Sequence, residues 1–133
     1  MRSAARECAF KIIFASQFND REDTSLARRL YEGAELDEED RAYAERLVKA
    51  VREHREELKE ELNRCALGFS EQRMFPADRS LLLMALAEIR YFDDVPDVVS
   101  IDEAVGLAKK YSTEKSAGFV NGVLAALIGG EGK

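Results

Sequence analysis

Tyr111 stands among cations. Lys109, Lys110 and Lys115 surround it within the stretch Ser100–Leu127, beside the short polar turn Ser112–Thr113. An exposed aromatic flanked by lysines can stack on a nucleobase while the ammonium groups meet phosphates. The other reading of Tyr111 is helix-end packing with its hydroxyl in water. At the far end of the chain Arg2 and Arg6 are spaced i, i+4, so on a helix they project from one face. A helix N-terminus already carries the positive end of the macrodipole, which makes cations misplaced there unless an anion arrives. With a phosphate present, arginines, free N–H groups and dipole act together. Without one, the pair is an ordinary solvated polar strip.

Other chemistries find little support. His54 is the single histidine and lies on an apolar stripe; the residue three before it is Val51, so the Glu-x-x-His pair of helical-bundle metal sites is missing. It reads as a half-buried, hydrogen-bonded side chain. The carboxylates of Glu60-Glu61 and Asp37–Asp40 are adjacent in sequence, and neighbours at that spacing do not face each other on a helix. Cys8 and Cys65 lack CxxC spacing and fall on apolar faces, the pattern of buried reduced thiols in a cytosolic protein. There is no glycine-rich phosphate loop, no Ser/His/Asp arrangement and no zinc spacing. Neither an enzyme nor a cofactor is expected.

Composition sets the frame for these sites. A chain of 133 residues, 46% apolar, makes one domain over 1–133 with a packed core and no need of covalent staples. No window approaches the roughly 18 apolar residues of a membrane span, and MRSAAREC does not read as a secretory signal. The net charge of −6 argues against a broadly basic nucleic-acid-binding face. Its distribution softens that objection. Arg2, Arg6 and Lys11 against Glu7 give +2 near the start, and Lys109, Lys110 and Lys115 against Glu114 give +2 in 106–119, leaving −10 elsewhere. An acidic remainder discourages nonspecific adsorption and favours a basic protein partner.

Helices must position these groups. No segment sustains strand alternation, and helix formers dominate. Ser3–Phe18 forms a first helix, apolar at Ala5, Cys8, Ala9, Phe10, Ile12, Ile13 and Phe14. Thr24–Glu32 forms a short second one that ends at Gly33. From Asp37 to Leu67 one stripe runs through Tyr43, Leu47, Val51, His54, Leu58, Leu62 and Cys65, as one long helix or two end to end. Pro76 suits the start of the next helix, whose Leu81–Phe92 portion is apolar nearly all round and belongs at the centre of the core. Ser100 and Glu103 form a capping box, which starts a helix at Ser100 after the loop 93–99. A last apolar run holds Phe119, Val120, Val123, Leu124, Leu127 and Ile128. The sum is an all-α bundle of about six or seven helices.

The capped IDEAV segment (Ile101–Val105), the AKK-plus-aromatic end (Ala108–Tyr111) and the closing FVNGVL (Phe119–Leu124) resemble the C-terminal signature of NusB-type transcription antitermination factors. The opening Ala5-Arg6-Glu7-Cys8-Ala9, leading to Phe14, is similar to the family's ARE-type start. Asp78-Arg79-Ser80-Leu81-Leu82, running into Ala85-Leu86-Ala87-Glu88-Ile89, agrees more loosely. The resemblance implies two packed helical subdomains in the NusB pattern. It also implies a factor that binds boxA-like single-stranded RNA together with NusE, a ribosomal protein, in the RNA-polymerase-associated complex for ribosomal RNA transcription.

Carried over residue by residue, the resemblance makes Arg2, Arg6, Lys110, Tyr111, Lys115 and Phe119 the RNA contacts, and Phe14 and Asp78 the contacts with NusE. Each has a plainer alternative. Phe119 and Phe14 fit the core, Lys115 can be merely solvated, and Asp78 can cap the helix that follows Pro76. Ser3 and Ala4 replace residues that are often basic in the family, and Phe14 stands where tyrosine is frequent. A helical protein–protein adaptor, or a homodimer with a degenerate RNA face, is the alternative function. A NusB-like domain at the front of an RNA methyltransferase is a further one; the end at Lys133 after Gly129-Gly130 favours a stand-alone factor.

Overall fold

The computed structural model describes residues 2–18, 24–65 and 73–131. Among these residues it is all helix: α1 (Arg2–Ser16), α2 (Thr24–Gly33), α3 (Glu38–Glu53), α4 (Arg55–Cys65), α5 (Pro76–Tyr91), α6 (Asp97–Tyr111) and α7 (Glu114–Glu131). The expected bundle of six or seven helices is therefore present with seven. Helices α1, α2 and α3 pack together as one group and α4 to α7 as another, with α1 and α3 also lying against α5.

The long stripe of residues 37–67 resolves into two helices meeting at His54, whose φ of −110° and ψ of 18° leave the helical well. Asp37 caps the first of them, accepting from the Asp40 N–H at 2.8 Å. His54 stacks on Tyr91 with ring centres 3.9 Å apart and an interplanar angle of 16°, which holds the joint against the end of α5. Its Nδ1 lies 3.5 Å from Glu57 Oε1, so it is the half-buried, partnered histidine that its neighbours in sequence suggest. The side chain of Cys65 and residues 66 and 67 lie outside the described residues. Cys8 is a free, buried thiol, pushed up in pKa by burial.

Helix α5 starts where proline favours it, with Phe75 at the N-cap and Pro76 in the first turn. Every residue from Ser80 through Glu88 is buried, because α5 contacts α1, α3, α4, α6 and α7. That makes it the central helix, and it explains why its sequence shows almost no polar face. One charged residue, Glu88, is enclosed in that run at 2% exposure.

The start of α6 corrects the capping box. Pro96 is the N-cap and the helix begins at Asp97, so Ser100 lies inside the first turn and caps nothing. Its hydroxyl donates to Glu88 Oε1 at 2.6 Å, while Glu103 accepts from Arg6 and Ser3. The Ser-x-x-Glu spacing is real, but both side chains are committed to tertiary partners. Thr113 provides the local cap instead, taking the Ser116 N–H on its Oγ1 at 3.0 Å at the entrance to α7. No helix among the described residues is long and apolar enough to cross a membrane.

Candidate nucleic-acid interface

Helix α1 runs alongside α6 in the same direction. Ser3 meets Glu103 at 2.5 Å, and one turn further on Glu7 meets Lys110 at 2.6 Å. This pairing brings the two cationic segments of the sequence together. Tyr111, at the end of α6, donates its hydroxyl to Glu7 and packs its ring 5.4 Å from that of Phe10. Lys110 and Lys11 hold their ammonium groups 5.4 and 5.6 Å from the centre of the Tyr111 ring. Tyr111 as a residue is 38% exposed. Phe14 and Phe18 continue the aromatic row along α1, with centroids 5.3 Å apart, and Phe14 lies 6.2 Å from Phe10.

Electrostatics follow the geometry. Partial burial opposes the charge on Glu7, but hydrogen bonds from Lys110 and Tyr111 and the nearby Lys11 hold its carboxyl below the ordinary range. The same carboxylate raises Lys110. The result is a surface with two ammonium groups, one exposed ring and one anion already in place.

The expectation that Arg2 and Arg6 share an exposed face holds for Arg2 alone. Arg2 is exposed, pairs with Asp94 at 3.3 Å, and lies 4.4 Å from the centre of the Tyr43 ring. Arg6 is interior, with 3% of its surface exposed. Its Nε donates to both oxygens of Glu88, at 2.9 and 3.1 Å, and its Nη1 to Glu103 at 2.9 Å. Tyr43 adds a further hydrogen bond to Glu88, so that carboxylate is surrounded by donors from α1, α3 and α6. Burial disfavours the Arg6 charge, yet Glu88, Tyr43 and Glu103 hold its pKa above normal. The physical reason for its burial is that Glu88, enclosed in α5, requires a cation. Arg6 therefore anchors α1 to the core through Glu88 and Glu103.

Lys115, Phe119 and Asp78 converge at a second place, a cleft of about 420 Å³ that Arg73, Met74, Phe75, Thr113 and Ser116 also line. Lys115 is exposed, and Phe119 packs partly against the core. Asp78 is 4% exposed and caps no helix: Phe75 holds the N-cap position of α5. Its Oδ2 accepts from Ser116 at 3.0 Å, whereas its Oδ1 is buried without a hydrogen-bond partner. Phe75, 65% exposed, stands at the rim. Phe14 is half buried against the core.

Sequence reasoning overlooked Glu7 as a ligand of Lys110 and Tyr111, and it overlooked Glu88, Ser116 and Phe75. Glu88 carries a legible signal, since a carboxylate within the apolar run Leu81–Ile89 needs a buried partner. Ser116 and Phe75 carry none that separates them from their neighbours. Among the described residues no group of three or more His, Cys, Asp or Glu is placed to hold a metal.

The described residues thus define an all-α helical bundle that presents an aromatic ring flanked by lysines on its surface. The chain belongs to the NusB family, whose sequence profile matches residues 3–128. It is 48% identical over 107 residues to the transcription antitermination protein NusB of Frankia casuarinae, covering 80% of this chain and 77% of that one. Its identity to the NusB protein of Symbiobacterium thermophilum is 39% over 137 residues, covering 97% and 90%. Its fold superposes with a TM-score of 0.87 on a crystal structure of antitermination factors NusB and NusE in complex with dsRNA, at 26% identity over 97% of this chain and 96% of that one.

Proposed function

We propose that this protein is a transcription antitermination factor that binds boxA-like single-stranded RNA together with NusE, acting in the cytoplasm within the RNA-polymerase-associated complex for ribosomal RNA transcription. The observation that carries the reading is the junction of α1 and α6, where Tyr111, Lys110 and Lys11 form one exposed surface. Tyr111 stacks on a splayed base, and Lys110, Lys115 and Arg2 meet phosphates. Phe119 lines, with Lys115, the second cleft, which extends the RNA-binding surface past Thr113. Arg6 serves it from below, by fixing α1 against Glu88 and Glu103. Phe14 and Asp78 face NusE. The orphaned Asp78 Oδ1 at the bottom of the cleft supports this assignment, because a partner's N–H or O–H donor would satisfy it. The role is recognition over a single domain: no bond is made or broken and no cofactor takes part.

The test is a fluorescence titration of boxA-like RNA into the protein, with and without NusE, at two salt concentrations. Salt-sensitive binding that tightens with NusE is expected. Absence of binding under both conditions would overturn the reading in favour of a protein–protein adaptor, or of a homodimer that covers this face.

A further inference from the structure

A second elongated surface lies away from these residues. A cleft of about 620 Å³ runs between α2 and α3, lined by Ile12 of α1, Thr24, Ala27, Arg28 and Tyr31 of α2, and a face of α3 from Arg41 to Glu53. It shares no lining residue with the Tyr111 surface or with the Asp78 cleft. The α3 residues recur at three- and four-residue spacing over about three turns, which at 1.5 Å per residue makes a trough roughly 18 Å long.

The floor is aliphatic, from Ile12, Ala27 and Val48, and the rim is cationic. Among the described lining residues Arg28, Arg41, Lys49 and Arg52 stand against Glu45 and Glu53, a local excess of positive charge in a chain of net charge −6. Lys49 approaches Glu53 at 3.8 Å. Arg28 and Arg41 form no ion pair among the described residues, although carboxylates outnumber cations and Arg2, Arg6 and Arg90 each find one. Arg41 instead holds its guanidinium 5.5 Å from the centre of the Tyr31 ring.

We infer that the α2–α3 cleft docks an acidic amphipathic helix of a protein partner. An apolar trough of helical length takes the i, i+3, i+4, i+7 anchors of such a helix. The rim arginines then meet its carboxylates, and the charge excess excludes basic segments. Single-stranded nucleic acid fits less well: among the described lining residues the one aromatic, Tyr31, is 5% exposed and offers no face on which a base can stack.

The experiment uses the whole chain and a fluorescein-labelled peptide of about 14 residues, with leucine at the i, i+3, i+4, i+7 positions and glutamate at most others. Anisotropy titration is expected to show saturable binding. The double variant Arg28→Glu/Arg41→Glu is expected to weaken it about tenfold or more with an unchanged circular dichroism spectrum, since neither side chain supports the fold through an ion pair. Lys110→Ala leaves it unchanged. The proposal is overturned if the peptide does not bind, if the double variant binds it as well as the parent, or if a lysine-for-glutamate version binds equally. It is likewise overturned, in favour of a nucleic-acid groove, if oligouridine displaces the peptide and loses its own affinity in the same double variant.

Discussion

Arg6 Nε lies 2.9 Å from Glu88 Oε2, and both side chains are sealed from solvent. A cation at the start of α1 is thus matched to a carboxylate in α5, and the proposed RNA-binding surface of Tyr111 and Lys110 is carried by the helix that this pair anchors. The division of labour between Arg2 and Arg6, one outside and one inside, gives each a different expected phenotype.

Breaking the pair should unfold rather than disarm. Arg6→Met leaves Glu88 buried without its cation, and Arg6→Glu adds a third carboxylate beside Glu88 and Glu103. Removing one partner of a buried ion pair costs on the order of 3–5 kcal/mol. Chemical denaturation of both variants measures the loss; parent-like stability would return Arg6 to the surface.

Tyr111→Ala should weaken boxA-like RNA binding by about 1–3 kcal/mol, the range of base stacking on an aromatic. The substitution also removes the packing on Phe10 and the hydrogen bond to Glu7, so the melting temperature should fall while the fold is retained. A titration alongside a thermal melt separates the two effects, and unaltered affinity would remove Tyr111 from the site.

For Lys110→Ala the salt dependence is the informative quantity. Loss of one phosphate contact to a single strand reduces the slope of log affinity against log salt by about 0.7. Titrations at several salt concentrations read it directly, and an unchanged slope would show that Lys110 serves only Glu7.

Glu7 links stability to pH. Its folded pKa lies below the ordinary value of 4.5, so its contribution is fully present above that value and is lost as pH falls through it towards the folded pKa. Glu7→Gln removes this component: parent and variant should differ in stability at neutral pH and converge under acid conditions. Denaturant midpoints across that range test it, and parallel curves would exclude the linkage.

Asp78→Asn keeps the shape of the side chain but removes its charge from the cleft. Association with NusE should weaken about tenfold or more, while RNA binding in the absence of NusE is retained. Calorimetric titration with NusE checks this, and full affinity would dissociate Asp78 from the partner surface.

Much of the architecture was legible in the residues. Pro76 marked the start of α5, the unbroken apolar run Leu81–Leu86 marked it as central, and Asp37 marked the start of α3. These signals are local, since caps, prolines and periodicity act within a turn or two of the chain. The joint at His54 was not legible, because the apolar stripe continues through it and the break is a backbone angle stabilised by Tyr91 from α5. The capping box at Ser100 was misleading for the same reason, since a serine and a glutamate three residues apart serve equally well as donor and acceptor to other helices.

The sequence by itself determined the helices, the acidic balance, and the presence of two cationic segments with an aromatic in one of them. It also carried the family motifs. Only the tertiary structure decided which cations are available. Side-chain type and spacing define what a residue can do, but burial depends on what the rest of the chain brings against it. Glu88 drew Arg6 inward, and α6 laid Lys110 and Tyr111 over Glu7 at the surface. An ion pair between residues 82 positions apart is a property of packing, and no local pattern encodes it.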